Sequence, residues 1–247
     1  TCDLMLLRHT PGDSDYDDVQ QIKNNANRAA NLTRQLLAFS RQQTLRPQIV
    51  QLPDIVSDTS SMLKRLMGET VALEVRHGRA IGAVRADPGQ LGQVIMNLAV
   101  NARDAILESG QKGGIVRIET DPVSAADVRR MQSDILPPAD YARLTVTDTG
   151  KGIDAAVLPK IFDPFFTTKP VGKGTGLGLS TVYGIVKQSG GFIFADNAKD
   201  GGARFDVYLP IYRGSEQAVT AAAAPKDTVL ADENWGSGHI LLVEDED

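Results

Sequence analysis

Between residues 172 and 178 every second residue is glycine, in the run Gly172-Lys173-Gly174-Thr175-Gly176-Leu177-Gly178-Leu179, and the run opens directly into a helical pattern over Leu177–Gln188. Such a segment offers backbone amides and a helix N-terminus carrying roughly +0.5 of a charge, an anion site by construction. Lys169 and Lys173 add positive charge beside it. No Gly-Lys-Ser/Thr closes the run, which excludes a Walker A loop, and the Gly-x-Gly-x-x-Gly register of a dinucleotide fold is absent. A flexible lid over phosphates fits the pattern.

The lid's surroundings predict the rest of the fold. A strand over Tyr141–Asp148 precedes a glycine-rich loop over Gly150–Gly178, and strands over Gly191–Asn197 and Ala203–Leu209 follow the helix. Upstream, a short strand is expected over Ile49–Leu52. A helix then opens at Pro53-Asp54, carries Ile55, Val56, Met62, Leu63 and Leu66, and stops at Gly68. Alternation over Val71–His77 reads as a half-buried strand. A helix from Asp87-Pro88 to about Ser109 and a strand over Ile115–Thr120 come next, and Asp121–Asp140, with three prolines, reads as a surface excursion. These elements make an α+β fold, an α/β sandwich with helices on one sheet face.

Outside this block, Asp3–His9 reads as the end of one helix. Tyr16–Gln42 reads as a second, with Val19, Ile22, Ala26, Ala29, Leu36 and Phe39 forming a stripe suited to a helical hairpin. The expected organisation is therefore 1–46 hairpin, 47–212 main domain, 213–237 linker rich in Ala, Ser and Thr, and 238–247 the opening of a further domain. Thr1 falls mid-helix and Asp247 follows an apolar run, so both ends read as cuts.

A net charge of −5 with no long basic run gives no footprint for nucleic acid or a membrane surface. The single cysteine, Cys2, has no internal disulfide partner and suits a reducing cytosol. Neither a signal peptide nor a span near ~20 apolar residues occurs.

Two further clusters carry chemistry. Asn97 and Asn101, four apart, share one helix face, and their carboxamide oxygens suit Mg²⁺, a hard cation that also takes substrate phosphates. Arg103 is a candidate phosphate contact one turn on. In Asp148-Thr149-Gly150-Lys151-Gly152, glycines allow close approach of a flat ligand, and the carboxylate accepts from an exocyclic amine such as that of adenine. Between this turn and the lid, Phe162, Phe165 and Phe166 read as a satellite core under the loop or a docking patch.

The order Asn helix, Asp-Gly turn, Phe loop and Gly lid resembles the N, G1, F and G2 boxes of the sensor histidine kinase catalytic domain. That domain is a branch of the Bergerat (GHKL) ATPase superfamily shared with gyrase B, Hsp90 and MutL. The likeness covers about Leu52–Pro210, and the wording of the boxes is similar to hybrid kinases of the CckA type from α-proteobacteria. It implies ATP and Mg²⁺ as ligands, Asn101 as principal metal ligand, Asn97 and Arg103 on metal or phosphates, and Asp148 as adenine reader. Gly150 and Gly152 would admit the base, while Lys169, Lys173, Gly174, Thr175, Gly176, Leu177 and Gly178 would line the phosphate lid. It further implies a homodimeric, inner-membrane-anchored kinase with this segment in the cytoplasm, feeding a phosphorelay. Tyr16–Gln42 would then belong to the dimerisation and phosphotransfer hairpin, and His239–Asp247, with Glu244 and Asp245, to a receiver domain. Regulation by cyclic di-GMP is also implied. Tyr183 is a candidate stacking platform, against the commoner reading of a buried core tyrosine.

Two departures stand out. Gly202-Ala203-Arg204-Phe205 replaces the threonine often found in the last glycine box. No histidine has the mid-helix, acid-followed setting of a phosphoacceptor: His9 precedes Thr10-Pro11, His77 precedes Gly78, and His239 opens a strand. The acceptor is expected upstream of Thr1. A gyrase-type ATPase is disfavoured because Asn97 stands where hydrolysis needs a glutamate base. A purely regulatory nucleotide-sensing module remains a second alternative.

Overall fold

Asp87 starts the element on which the site is built. In this computed structural model, which describes residues 5, 6, 13, 15–23, 26, 46–111, 113–170 and 174–214, its Oδ1 accepts from the amides of Gly89 at 2.9 Å and Gln90 at 3.2 Å. Pro88 occupies the first turn, where its missing N–H costs nothing. The resulting helix, Pro88–Glu108 (called α2 below), buries Leu91, Val94, Ile95, Leu98, Ala99, Ala102 and Ile106 along one side. The preceding helix, Leu52–Met67 (α1), buries Leu52, Ile55, Val56, Leu63 and Met67 and ends at Gly68, whose φ of +69° breaks the helical path.

The strands are Gln48–Val50 (β1), Val71–His77 (β2), Val84–Ala86 (β3), Gly114–Val123 (β4), Tyr141–Asp148 (β5), Phe192–Asn197 (β6) and Ala203–Pro210 (β7). Five of them form one sheet in the order β2-β4-β5-β7-β6, parallel between β2 and β4 and antiparallel elsewhere. β1 and β3 form a separate antiparallel pair. With Ala125–Met131 as α3 and Gly178–Gln188 as α4, the main layer is α2 packed against α1, α4 and β5. The inward row of β5, Ala142, Leu144 and Val146, meets the buried side of α2 in a single large core.

The opposite sheet face is divided. Over part of it, ion pairs such as Arg117–Glu74 at 3.0 Å and Arg143–Asp121 at 3.1 Å stand in rows across neighbouring strands. Elsewhere Val123, Val128, Leu136, Tyr141 and Tyr208 form a second apolar cluster. There the Tyr141 and Tyr208 rings meet edge-on at 6.0 Å, and Tyr141 Oη donates to the Pro137 carbonyl at 3.0 Å.

Observed and expected elements differ in a few places. Leu52 belongs to α1 rather than to the preceding strand. β3, only three residues long, was too short to show a periodicity. The Asp121–Asp140 excursion contains α3, whose capping box pairs Ser124 with Asp127. A 3₁₀ turn, Leu158–Lys160, interrupts the long glycine-rich loop. Residues 16–23 and 26 are helical within the expected Tyr16–Gln42 helix, which begins one residue earlier at Asp15 and whose remainder, like Cys2, His9 and His239–Asp247, lies outside the described residues. By contacts the chain divides into Thr1–Tyr212 and Arg213–Asp247. Among the described residues no helix is long and apolar enough to cross a membrane.

Candidate functional site

The polar side of α2 faces a cleft of about 1830 Å³, closed on its other walls by the segment after β5, the Phe162–Lys169 loop and the start of α4. That volume exceeds the roughly 300–1,000 Å³ of common small-molecule pockets, so it admits a large ligand. Gln90, Gln93, Asn97, Asn101, Asp104 and Glu108 line it from α2, and steps of three and four residues place them on one helical face. The same helix thus fills the core with one side and builds the cleft with the other.

Asp148 stands at the floor. Period two along β5 continues the inward row Ala142, Leu144, Val146 to Asp148, which is only 3% exposed although it carries a carboxyl group. Its Oδ1 accepts from Gly150 N at 2.8 Å and Ala203 N at 3.2 Å. Among the described residues Oδ2 has no hydrogen-bond partner, and it is left for the cleft that the residue lines. Burial pushes the carboxyl above its usual pKa, and the two amide hydrogen bonds only partly offset that rise. The site therefore holds an acceptor prepared for a donor from a ligand.

Gly150 supports this carboxylate without touching the cleft. A Cβ there would lie 2.7 Å from the Ala105 carbonyl carbon, so glycine lets the turn press against α2. Gly152 does line the cleft, and the next residue is pinned by Asn197, whose side chain accepts from Ile153 N at 2.7 Å and donates to Ile153 O at 2.8 Å. Asn197 carries no motif signal in the sequence, because its partner is 44 residues away.

At the other end, Asn97 Nδ2 donates to the Gly178 carbonyl at 3.3 Å and ties α2 to the start of α4. Asn101 lies one turn further along, with its Nδ2 3.7 Å from where a Cβ on Gly178 would sit. Gly174, Thr175, Gly176, Leu177 and Gly178 all line the cleft, and Lys173 lies outside the described residues. The amides that open α4 are without intrahelical partners and face this end. Among the described residues no three His, Cys, Asp or Glu side chains gather as a metal cluster. A cation here would take neutral amide oxygens from Asn101 and Asn97 and complete its shell from a ligand, a donor set that fits Mg²⁺ held with phosphates.

Three expected site residues lie elsewhere. Besides Gly150, Arg103 does not line the cleft: its Nη1 donates to the Leu66 carbonyl at 3.1 Å, and its Nε and Nη2 donate to Asp104 Oδ1 at 3.1 and 2.7 Å. The end of α1 captures it because Leu66 O is one of that helix's orphan carbonyls. Tyr183 is also outside the cleft lining, and at 41% exposure it is not a buried core residue. The Phe162 ring lies against it at a tilt of 37° with centroids 5.6 Å apart, and Lys187 Nζ lies 5.5 Å from the Tyr183 ring centre.

Lys169 lines the cleft and pairs with the other oxygen of Asp104 at 2.5 Å. Partial burial pushes Asp104 up, but the hydrogen bonds from Lys169 and Arg103 outweigh it and hold this carboxyl below its usual range. Asp104 was not among the expected site residues, although the spacing 97, 101, 104 on one helix would have shown it. Of the three phenylalanines, Phe162 and Phe166 pack half-buried on the core, whereas Phe165 is 63% exposed.

Residues 86–213 match the family described as "Histidine kinase-, DNA gyrase B-, and HSP90-like ATPase". This chain belongs to that family. Within it the chain is similar to the sensor kinase CckA of Brucella abortus, with 50% identity over 99% of this chain and 26% of that protein. It is also similar to the sensor histidine kinase ZraS of Salmonella typhimurium, with 32% identity over 83% of this chain and 40% of that protein. The chain thus spans well under half the length of these curated relatives. Among solved structures, full-length ShkA in complex with AMPPNP superposes with a TM-score of 0.61 at 19% identity, over 83% of this chain and 40% of that one. At such identity the likeness speaks to the fold, the α/β sandwich of histidine kinase ATPases.

Proposed function

We propose that this chain is the ATP-binding catalytic region of a two-component hybrid sensor histidine kinase, delivering the γ-phosphoryl group of ATP to a histidine upstream of Thr1. The observation that carries the reading is the buried carboxylate of Asp148, with one oxygen fixed by two amides and the other turned to a cleft whose far end is a helix N-terminus. An adenine amine donates to Asp148 Oδ2, and the triphosphate extends toward Lys169 and the amides opening α4. In support, ShkA, of the same fold, was solved with AMPPNP, and the similar CckA and ZraS are named sensor kinases.

In the reaction an imidazole nitrogen forms a bond to the γ-phosphorus as the bond to the β,γ-bridging oxygen breaks, with ADP as leaving group. The transition state is loose and charge-spread, so the chain's task is positioning and electrostatics. Asn101, with Asn97, would hold Mg²⁺, which neutralises phosphate charge when bound. Asn97 offers an amide where a hydrolase needs a base, so water is not activated. Of the three histidines, His77 is described; its Nδ1 bonds Thr120 Oγ1 at 2.8 Å, a structural role at the end of β2.

Residues 1–46 would supply part of the phosphotransfer hairpin of a homodimer, 213–237 a linker and 238–247 the opening of a receiver in the phosphorelay. The exposed Tyr183 ring, backed by Phe162 and beside Lys187, suits stacking of a guanine, so cyclic di-GMP is the proposed regulator. The functional test is direct. The chain alone binds Mg²⁺-ATP, hydrolyses it slowly and remains unlabelled by γ-labelled ATP, and an added hairpin with the upstream histidine becomes labelled. Label on His9, His77 or His239 would overturn the acceptor assignment, and brisk turnover without a hairpin would favour an ATPase.

A further inference from the structure

Two cations share one carboxylate at the wall of the cleft. Asp104 takes Arg103 on Oδ1 and Lys169 on Oδ2, and Arg103 is itself anchored to the Leu66 carbonyl at the end of α1. All three side chains are about three-quarters buried, with 25%, 24% and 21% exposure for Arg103, Asp104 and Lys169. The trio carries one net positive charge.

An ammonium has three donors. Asp104 occupies one of those on Lys169, and both residues line the cleft. Lys169 is a four-carbon side chain in the loop before the lid, and left unpaired it would lose rotamer freedom on binding a phosphate. A carboxylate whose other oxygen is already clamped by a guanidinium removes much of that loss beforehand. Arg103, placed among the phosphate contacts by the resemblance, thus acts one residue back from the ligand.

We infer that Asp104 is a positioning residue that fixes Lys169 for the terminal phosphates of the nucleotide, with Arg103 as the bracket that orients Asp104. The inference rests on the reading of the cleft as an ATP site. It also fixes a sign. Were Asp104 merely a negative charge near the triphosphate, neutralising it would tighten binding; as a positioning group, its loss weakens binding.

The experiment is titration of the chain with Mg²⁺-ATP and, by competition, with AMP, which has the same base and lacks the terminal phosphates. Asp104→Asn lowers ATP affinity about threefold to thirtyfold, within the usual range for coupled neighbours, and leaves AMP affinity within about twofold. Lys169→Met produces a loss at least as large, and Asp104→Asn adds nothing to it. Asp104→Glu restores part of the ATP affinity, and thermal melting checks that each variant folds. Unchanged or tighter ATP binding by Asp104→Asn overturns the inference, as do equal losses for ATP and AMP or additive losses in the double variant. Failure of the unaltered chain to bind Mg²⁺-ATP would remove the functional reading itself, a separate and prior outcome.

Discussion

Phe165 and Gly176 face each other with matching left-handed backbones, at φ +66° and +67°, and Phe165 N donates to Gly176 O at 3.0 Å. The pair stitches the phenylalanine loop to the lid. Glycine takes this conformation freely, whereas a phenylalanine does so at a cost of roughly 1–2 kcal/mol. The residue is 63% exposed, so its side chain returns little packing for that strain. Phe165→Gly is therefore expected to raise stability by about 1 kcal/mol, read as a higher denaturant midpoint. If phosphotransfer to a separate hairpin falls in the same variant, the exposed ring is a docking contact.

The reciprocal change acts on the lid. A Cβ on Gly176 would lie 2.3 Å from the Phe165 carbonyl carbon, against backbone that has nowhere to go. Gly176→Ala should cost about 1–3 kcal/mol locally and lower ATP affinity, while AMP affinity, which depends on the Asp148 end, holds. Equal effects on both ligands would show that the lid and the adenine floor are not separable.

On the proposed reading, Asp148 sets affinity and stability against each other. Asp148→Asn keeps an oxygen for the Gly150 and Ala203 amides but loses the charge, and ATP affinity should fall by about 1.5–3 kcal/mol, or roughly tenfold to a hundredfold. Calorimetry with unchanged affinity would remove Asp148 from the site. GTP should bind poorly, since its 6-oxo group offers no donor.

The same variant makes a prediction about pH. Burial raises the folded-state pKa of Asp148 above the ordinary 3.8, so its favourable contribution is complete below 3.8 and is lost as pH rises through the folded value. At neutral pH the ionised carboxylate is a burden to the fold. Asp148→Asn should therefore melt higher than the parent at pH 7, with the difference shrinking as pH falls toward 3.8. A lower melting temperature at pH 7 would contradict the burial argument.

Asn197 holds the turn after Asp148 through two hydrogen bonds to Ile153. Asn197→Ala removes both, at about 0.5–1.5 kcal/mol each. Loosening should appear as faster amide exchange at Gly152 and Ile153, with a smaller loss of ATP affinity than Asp148→Asn gives. Unaltered exchange there would mean that packing alone fixes the turn.

Strand β5 was legible to the residue because alternation, a preceding proline-rich stretch and a following Asp-Gly turn all agree on it. β3 was not, since three residues carry no measurable period, and its partner β1 lies 36 residues earlier. The helix α3 was hidden by prolines on both sides of it, although Ser124 and Asp127 spell a capping signal. In the site, Asn97, Asn101, Asp148 and the lid glycines could be named because each belongs to a local pattern. Arg103 was misplaced because nothing local distinguishes reaching a phosphate from capping the last turn of another helix. Which cation Asp104 holds, and which turn Asn197 pins, are matters of tertiary contact across 65 and 44 residues.

Because α2 serves core and cleft at once, hydrophobic volume becomes ligand geometry. The apolar row from Leu91 to Ile106 sets the height and rotation of the axle on which Asn97, Asn101 and Asp104 turn. A methylene added beneath Leu98 would tip all three together by fractions of an ångström, whereas a change at the lid moves one wall only. Tuning the depth of the core is thus a way to retune nucleotide grip without touching a single side chain that meets the nucleotide.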